Sequence, residues 1–272
     1  MAIQNSNLQR WLTGIILAIA ILLVIFLGSV ELLSAVIMLI AVIGIWEYNS
    51  IVFDQGHLKE KVESIVFAIV IPMVTMYGTS QLLIAVLAFS IMVVFMILLW
   101  RVNETNFDVS LAAIVIFGML YIPLLTSHFI LLRKLDQGIF WILLVLVTGI
   151  VGDTVAMYVG KSFGKRKLIE LVSPGKTVEG TIGLILGSTI AASLFGYFFF
   201  PDVSVLHFVI LGFAGSIIGQ LGDLSESAIK RNYGRKDASS LLPGHGGLLD
   251  RLDSLIFLAP FVYYYRIFVI GG

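Results

Sequence analysis

The sequence contains no cysteine and few charged residues, and both shortages limit what the protein can be. Without cysteine, the chain has no disulfide framework, no thiolate metal site and no thiol nucleophile. Charged residues make up 12% of the 272 residues, about half of the usual ~25% of a soluble domain. The 17 basic and 17 acidic residues cancel, so the chain lacks the net positive charge that is typical of a nucleic-acid-binding protein.

Hydrophobic residues are correspondingly abundant and account for 59% of the chain. A folded soluble protein cannot hide that much apolar surface from water. The composition therefore excludes a soluble enzyme, a disordered tail and a coiled coil. It indicates that the lipid bilayer is the natural solvent of this chain.

The apolar residues form continuous runs, which predicts membrane-spanning helices and not the alternating strands of a barrel. A spanning helix needs about 20 mostly apolar residues. The sequence predicts an all-α, polytopic transmembrane helix bundle of about nine spans. The predicted spans are residues 11–28, 30–49, 64–79, 81–100, 109–129, 138–159, 180–200, 205–229 and 254–270.

The basic residues are distributed unevenly between the two sides of this predicted bundle. Fourteen of the 17 fall on the side of the N-terminus. Cytoplasmic loops carry an excess of lysine and arginine, so we expect the N-terminus in the cytoplasm. The same side carries the two long polar loops, residues 160–179 and 230–253.

These loops suggest two functional regions. We expect residues 1–145 to form an N-terminal transmembrane scaffold and residues 146–272 to form the catalytic region. Glycines with the spacing Gly-xxx-Gly recur in this second half and suit close helix packing, either within one chain or between the subunits of the homodimer that we expect. The pairs are Gly160 and Gly164, Gly183 and Gly187, and Gly215 and Gly219.

Acidic residues within apolar spans are a first pointer to function, because an ionised side chain inside the bilayer is costly. Asp153 lies in the sixth predicted span, and Asp223 and Glu226 lie in the eighth. Such side chains are expected to face the bundle interior, unless they lie shallow enough to reach headgroup water. Glu47 lies at the edge of the second span and is not assigned to a site.

Residues 227–253 are the most informative stretch, because they combine a cluster of four cations at positions 230–236, three acids and a glycine-rich turn. Clustered lysine and arginine suit a polyphosphate, and glycines allow backbone N–H groups to approach an anion. Asp250 and Asp253 share one helix face and could hold Mg²⁺. Each feature alone has a simpler explanation: a topology signal or anionic-lipid contact for the basic loop, and favourable acid at a helix start for the aspartates.

The loop before the seventh predicted span contains Gly175-Lys176-Thr177, which is similar to the end of a P-loop. Glu170 stands where the first glycine of that motif belongs, and no strand is predicted before it, so we exclude a P-loop. Lys176 and Thr177 remain candidates for phosphate contact at a helix N-terminus. Ser173-Pro174 is equally consistent with a plain helix start.

The stretch from Ser227 to Asp253 resembles the signature of the phosphatidate cytidylyltransferases, the CDP-diacylglycerol synthases. Every specified position of that signature is met. The matching residues are Ser227, Lys230, Arg231, Lys236, Asp237, Ser239, Leu242, Pro243, His245, Gly246, Gly247, Asp250, Arg251 and Asp253. The patterns around Asp153 and between Ser173 and Gly180 also resemble the family.

The resemblance implies transfer of CMP from CTP to phosphatidic acid, giving CDP-diacylglycerol and pyrophosphate, with Mg²⁺ and room for a second ion. It implies a multi-pass protein of the cell inner membrane with its active site facing the cytoplasm. We expect Asp223, Asp250 and Asp253 to hold metal, and these three with Lys230, Arg231 and Lys236 to be catalytic. The expected substrate-binding residues are Asp153, Lys176, Thr177, Glu179, His245, Gly246, Gly247 and Arg251.

Two other functions remain open at this point. A CTP-dependent lipid-alcohol kinase would share the membrane, the nucleotide and the metal, but it would release CDP and not pyrophosphate. A cation or proton transporter could use Asp153 and Asp223 as a pathway, although it would not need four cations and a glycine turn in one loop.

Overall fold

The structure is a computed structural model that describes residues 2–53, 56–100, 108–242 and 246–271, with side chains described from Gly14 onward except Leu17. Helices dominate these residues, as predicted. In chain order they are α1 (Ala2–Leu27), α2 (Val30–Val52), α3 (Leu58–Tyr77), α4 (Ser80–Trp100), α5 (Val109–Met119), α6 (His128–Arg133), α7 (Gly138–Phe163), α8 (Val178–Phe199), α9 (Val205–Asn232) and α10 (Leu249–Tyr265). Short π-helical segments, Leu120–Leu124 and Arg266–Ile270, follow α5 and α10.

Seven helical segments among the described residues are long and apolar enough to cross a membrane. They confirm the prediction of an all-α, multi-pass membrane protein. The other two predicted spans correspond to α1, whose apolar part is Gly14–Leu27, and to α3, whose first turns carry several charged residues. The N-terminal orientation stays a prediction.

Helix α8 shows how the sequence suits lipid on one side and packing on the other. Five large apolar side chains at intervals of four residues are exposed: Ile182, Leu186, Ile190, Leu194 and Phe198. Side chains four apart lie on one helix face, so these form a continuous apolar stripe. A stripe of this kind matches a lipid-facing surface.

Contacts divide the chain into two compact units. The first comprises Met1–Leu131 with Asp237–Leu249, and the second comprises Leu132–Lys236 with Asp250–Gly272. In the first unit, α2 packs on α3 and α5, and the Tyr48 hydroxyl donates to the Ile114 carbonyl at 3.1 Å. The proposed division between scaffold and catalytic regions stays a prediction.

In the second unit, α7, α8 and α9 pack closely because glycines leave room for neighbouring side chains. A Cβ atom at Gly187 would lie 2.8 Å from the Val155 side chain of α7, and one at Gly183 would lie equally close to Val159. This Gly-xxx-Gly pair therefore packs within the chain. The predicted homodimer gains no support from it.

A two-stranded antiparallel hairpin joins α7 to α8, and the sequence did not predict it. Its strands are β1 (Lys167–Ile169) and β2 (Ser173–Thr177). The interpretation of Ser173-Pro174 as a helix start is therefore wrong, because both residues lie in β2. The expectation of no strand before Gly175 is wrong as well. A P-loop is still excluded, because position 170 holds glutamate where that motif requires glycine.

Candidate active site

A cavity of about 360 Å³ opens among α7, β2, the start of α8 and α9 in the second unit. It brings together four of the predicted site residues, Asp153, Lys176, Thr177 and Asp223. Its size suits a small-molecule site. Three glycines are among its lining residues: Gly160 of α7, Gly175 of β2 and Gly180 of α8.

An ion pair between Lys176 and Asp223 crosses this cavity. Strand β2 supplies the lysine and α9 supplies the aspartate, 47 residues further along the chain. Both side chains are about one quarter exposed (23% and 26%), so the pair is accessible from the cavity. Asp153 of α7 lies within electrostatic range of both. A basic group poised between carboxylates suits a site that receives phosphate together with a cation.

Thr177 ends β2 and caps α8. Its hydroxyl accepts a hydrogen bond from the Gly180 N–H at 3.1 Å, which satisfies one of the free donors of the first turn. The adjacent Lys176 is thereby held next to the N-terminus of α8. The predicted position of these two residues at a helix start is confirmed.

Gln220 and Thr181 form a polar relay on the cavity wall that the sequence analysis missed. The Thr181 hydroxyl donates to the Thr177 carbonyl at 3.2 Å, and it accepts from Gln220 Nε2 at 2.8 Å. Since the hydroxyl has one proton, this relay fixes which end of the amide faces Thr181. The position of Gln220 in a predicted span, one turn before Asp223, was the signal available in the sequence.

A second ionic cluster surrounds Lys230, which is only 7% exposed. Its ammonium pairs with Glu226, one helical turn earlier on α9, and with Asp250 of α10. A buried lysine requires such partners, because an uncompensated buried charge is strongly destabilising. Lys230 and Asp250 are therefore engaged with each other, and Glu226 has a defined partner.

Asp253 lies one helical turn beyond Asp250 and within electrostatic range of Asp223 and Asp153. Among the residues that the structure describes, no three acidic or histidine side chains form a preformed metal cluster. Mg²⁺ is usually bound by one or two carboxylates together with substrate phosphates. Asp223, Asp250 and Asp253 are candidate donors for such a site; Asp223 pairs with Lys176 and Asp250 pairs with Lys230 in the structure.

Glu179, which the sequence analysis expects to bind substrate, contacts the loop before the hairpin, and its role toward the substrate stays a prediction. Its carboxylate accepts hydrogen bonds from the backbone N–H groups of Lys165 and Arg166, at 3.0 and 3.2 Å, and pairs with the Arg166 guanidinium. It therefore fastens the loop before the hairpin to the first turn of α8.

The remaining predicted cations lie on exposed segments. Arg231 donates to the carbonyls of Val172 and Arg235, which links the end of α9 to the hairpin. Lys236 and Arg251 are exposed. None of these three is among the residues that line the cavity described above.

The glycine-rich turn of the motif belongs to the first unit. Backbone N–H of Leu242 donates to the Gly246 carbonyl at 2.9 Å, which closes the turn. Gly246 has a φ of +82°, a conformation that favours glycine. Gly247 is buried. His245 lies outside the residues that the structure describes.

The fold and the cavity define a multi-pass membrane protein with a cavity among α7, α8 and α9 that is lined in part by charged side chains. The model of the cytidylyltransferase family matches residues 8–269, nearly the whole chain. This chain belongs to the cytidylyltransferase family.

Curated relatives support this assignment. A phosphatidate cytidylyltransferase of Bacillus subtilis (strain 168) is 34% identical over 274 residues, covering 94% of this chain and 96% of that protein. One of Haemophilus influenzae (strain ATCC 51907 / DSM 11121 / KW20 / Rd) is 44% identical over 138 residues, 49% of this chain and 48% of that protein. One of Staphylococcus aureus (strain COL) is 38% identical over 169 residues, 61% and 64% of the two chains.

Proposed function

We propose that this chain is a phosphatidate cytidylyltransferase, which transfers the cytidylyl group of CTP to phosphatidic acid. A phosphate oxygen of the lipid attacks the α-phosphorus of CTP. A new bond forms between that lipid oxygen and the α-phosphorus. The bond between the α-phosphorus and the oxygen that bridges it to the β-phosphorus breaks, and pyrophosphate leaves with that oxygen. The products are CDP-diacylglycerol and pyrophosphate.

The observation that carries the proposal is the cavity with the Lys176–Asp223 ion pair and Asp153, in a chain that matches the family along its length. The lipid brings its own nucleophile, since the second pKa of a phosphomonoester is about 6. An activated serine or histidine is therefore not needed. The protein must mainly neutralise charge and align two anions.

Lys176 is suited to this task because its ammonium is held at the cavity by Asp223. When phosphate enters, the Lys176 ammonium can contact a phosphate oxygen, and the Asp223 carboxylate is then available to bind a metal cation. The N-terminus of α8 beside Thr177 adds favourable electrostatics for an anion. The buried Lys230 holds the start of α10 to α9 through Asp250, which fixes Asp253 one turn further on.

We propose that Asp223 and Asp253 hold Mg²⁺, together with phosphate oxygens of the substrate. Bound there, the ion would polarise the phosphoryl oxygens and neutralise charge on the leaving pyrophosphate. Asp250 was also expected to be a ligand, and this role stays a prediction; its carboxylate pairs with Lys230, as that of Asp223 pairs with Lys176. A second ion is not part of the proposal.

We further propose that this site faces the cytoplasm of an inner membrane. Fourteen of the 17 basic residues lie on the predicted cytoplasmic side. The nucleotide would enter from water, while the acyl chains stay in the bilayer beside the exposed apolar stripe of α8.

The test is an assay of the purified chain with CTP labelled in its α-phosphate, and with phosphatidic acid or dolichol as acceptor. We expect label in the lipid product with phosphatidic acid, one pyrophosphate released for each lipid formed, and no product with dolichol. Release of labelled CDP, with no label in the lipid, would show a lipid-alcohol kinase instead, because a kinase transfers the γ-phosphate. No consumption of CTP with either lipid would refute the proposed function.

A further inference from the structure

The side chain of Glu47 is fully buried, and its carboxylate binds the motif segment, defined here as residues 239–249. Glu47 comes from α2, about 190 to 200 residues earlier in the chain. Both residues of every contact discussed here lie in the first unit. A buried carboxylate is costly unless its oxygens are satisfied, so its partners are informative.

Three donors meet the two carboxylate oxygens, and all three come from the motif segment. Oε1 accepts from the Ser239 hydroxyl at 2.5 Å and from the Leu248 N–H at 2.9 Å. Oε2 accepts from the Leu249 N–H at 2.6 Å. The N–H groups at the start of a helix lack intrahelical acceptors, and Glu47 supplies acceptors for two of them at the start of α10.

The donors flank the glycine-rich turn on both sides. Ser239 precedes the turn and also accepts from the Leu241 N–H at 3.0 Å, while Leu248 and Leu249 follow it. The Leu242–Gly246 backbone bond closes the turn between them. One carboxylate thus ties together the entry and the exit of the turn.

We propose that Glu47 is a positioning residue that sets the backbone of Gly246 and Gly247 for the reaction; this inference rests on the proposed function. Leu249, whose N–H it binds, directly precedes Asp250 in the chain, so the same carboxylate also fixes where α10 begins. Glu47 itself does not contact the reacting atoms. Its effect passes through the motif segment alone.

A carboxylate is required because it presents acceptors at both oxygens, whereas glutamine presents an NH₂ donor at one of them. In Glu47→Gln, the NH₂ group would face another hydrogen-bond donor, an N–H or a hydroxyl. Two facing donors repel each other, so the turn must shift. A displacement of about 1 Å in a positioned group can cost about 100-fold in rate. Glu47→Asp keeps both oxygens and should recover part of the loss.

The experiment measures kcat and KM for CTP in the full-length protein, normalised to monodisperse, folded material, at a temperature below any unfolding. We expect Glu47→Gln to lower kcat about 100-fold with KM for CTP changed less than about threefold. Glu47→Asp should retain at least about tenfold more activity than Glu47→Gln. The matched control is Glu60→Gln, another buried carboxylate of the first unit that lies on α3, which we expect to leave kcat unchanged.

Ser239→Ala provides an independent arm, because it removes one of the three donors without altering a buried charge. We expect about a tenfold loss of kcat, and little further loss when it is combined with Glu47→Gln. If Glu47→Gln does not fold, Ser239→Ala decides alone. The inference is overturned if kcat of the folded variants stays within threefold of wild type, or if Glu60→Gln loses as much. Inactive wild-type protein would instead count against the proposed function.

Discussion

Replacing Lys176 by methionine tests the ion pair at the centre of the proposed site. Methionine keeps a similar length but removes the ammonium, which leaves Asp223 without its ionic partner in the cavity. A hydrogen bond to a charged group contributes about 1.5–3 kcal/mol to stability. With about three quarters of each side chain buried, we expect Lys176→Met to lower the free energy of unfolding by an amount in that range.

The loss of activity should be larger than this loss of stability suggests. Removing one preorganised donor from a site of developing negative charge costs about 100- to 1,000-fold in kcat. In addition, the unpaired Asp223 would repel the phosphates of CTP. We therefore expect kcat/KM for CTP to fall at least about 100-fold, measured as labelled CDP-lipid formed per folded molecule.

Lys165→Met is the matched control, because Lys165 is an exposed lysine in the loop before the same hairpin and does not line the cavity. It removes the same charge from the same predicted face of the membrane, so any general effect of basic residues on lipid binding appears there too. We expect its kcat/KM to stay within about threefold of wild type. Equal losses in the two variants, or activity of Lys176→Met close to wild type, would refute the reasoning.

Two further predictions follow from the site. Thr177→Ala removes the cap of α8 and should lower the free energy of unfolding by about 1 kcal/mol, measured by thermal or denaturant unfolding in detergent; Thr177→Ser should restore it, and an equal loss in both would contradict capping. Asp253→Asn should raise the Mg²⁺ concentration needed for half-maximal activity at least about tenfold, measured by titrating the chelator-treated enzyme; an unchanged Mg²⁺ requirement would exclude Asp253 as a ligand.

The architecture was largely predictable, because a membrane imposes a simple rule on the chain. Backbone groups in lipid must be satisfied within a helix, so long apolar runs identify helices without any knowledge of their packing. The hairpin Lys167–Thr177 escaped prediction for the opposite reason. It lies outside the apolar runs, is short, and is held by contacts such as those of Glu179 with Lys165 and Arg166.

The sequence singled out charged residues that the structure brings together, but it did not indicate how their charges pair. Asp153 and Asp223 stood out because charge is costly in apolar spans, and Lys176 because it precedes a predicted helix start. The structure brings the three to one cavity. The cost of burial does not reveal which charge neutralises which. The sequence analysis therefore did not anticipate that Asp250 pairs with Lys230.

The sequence alone indicated the solvent of this protein, its helical class and a set of candidate site residues. These follow from composition, run length and motif spacing, which are properties of neighbours along the chain. The tertiary structure alone decided that Lys176 meets Asp223 and that Glu47 binds residues 239–249. The first contact joins residues separated by 47 positions, and the second joins residues separated by about 200 positions. Only the packing of the helices brings such side chains within hydrogen-bonding distance.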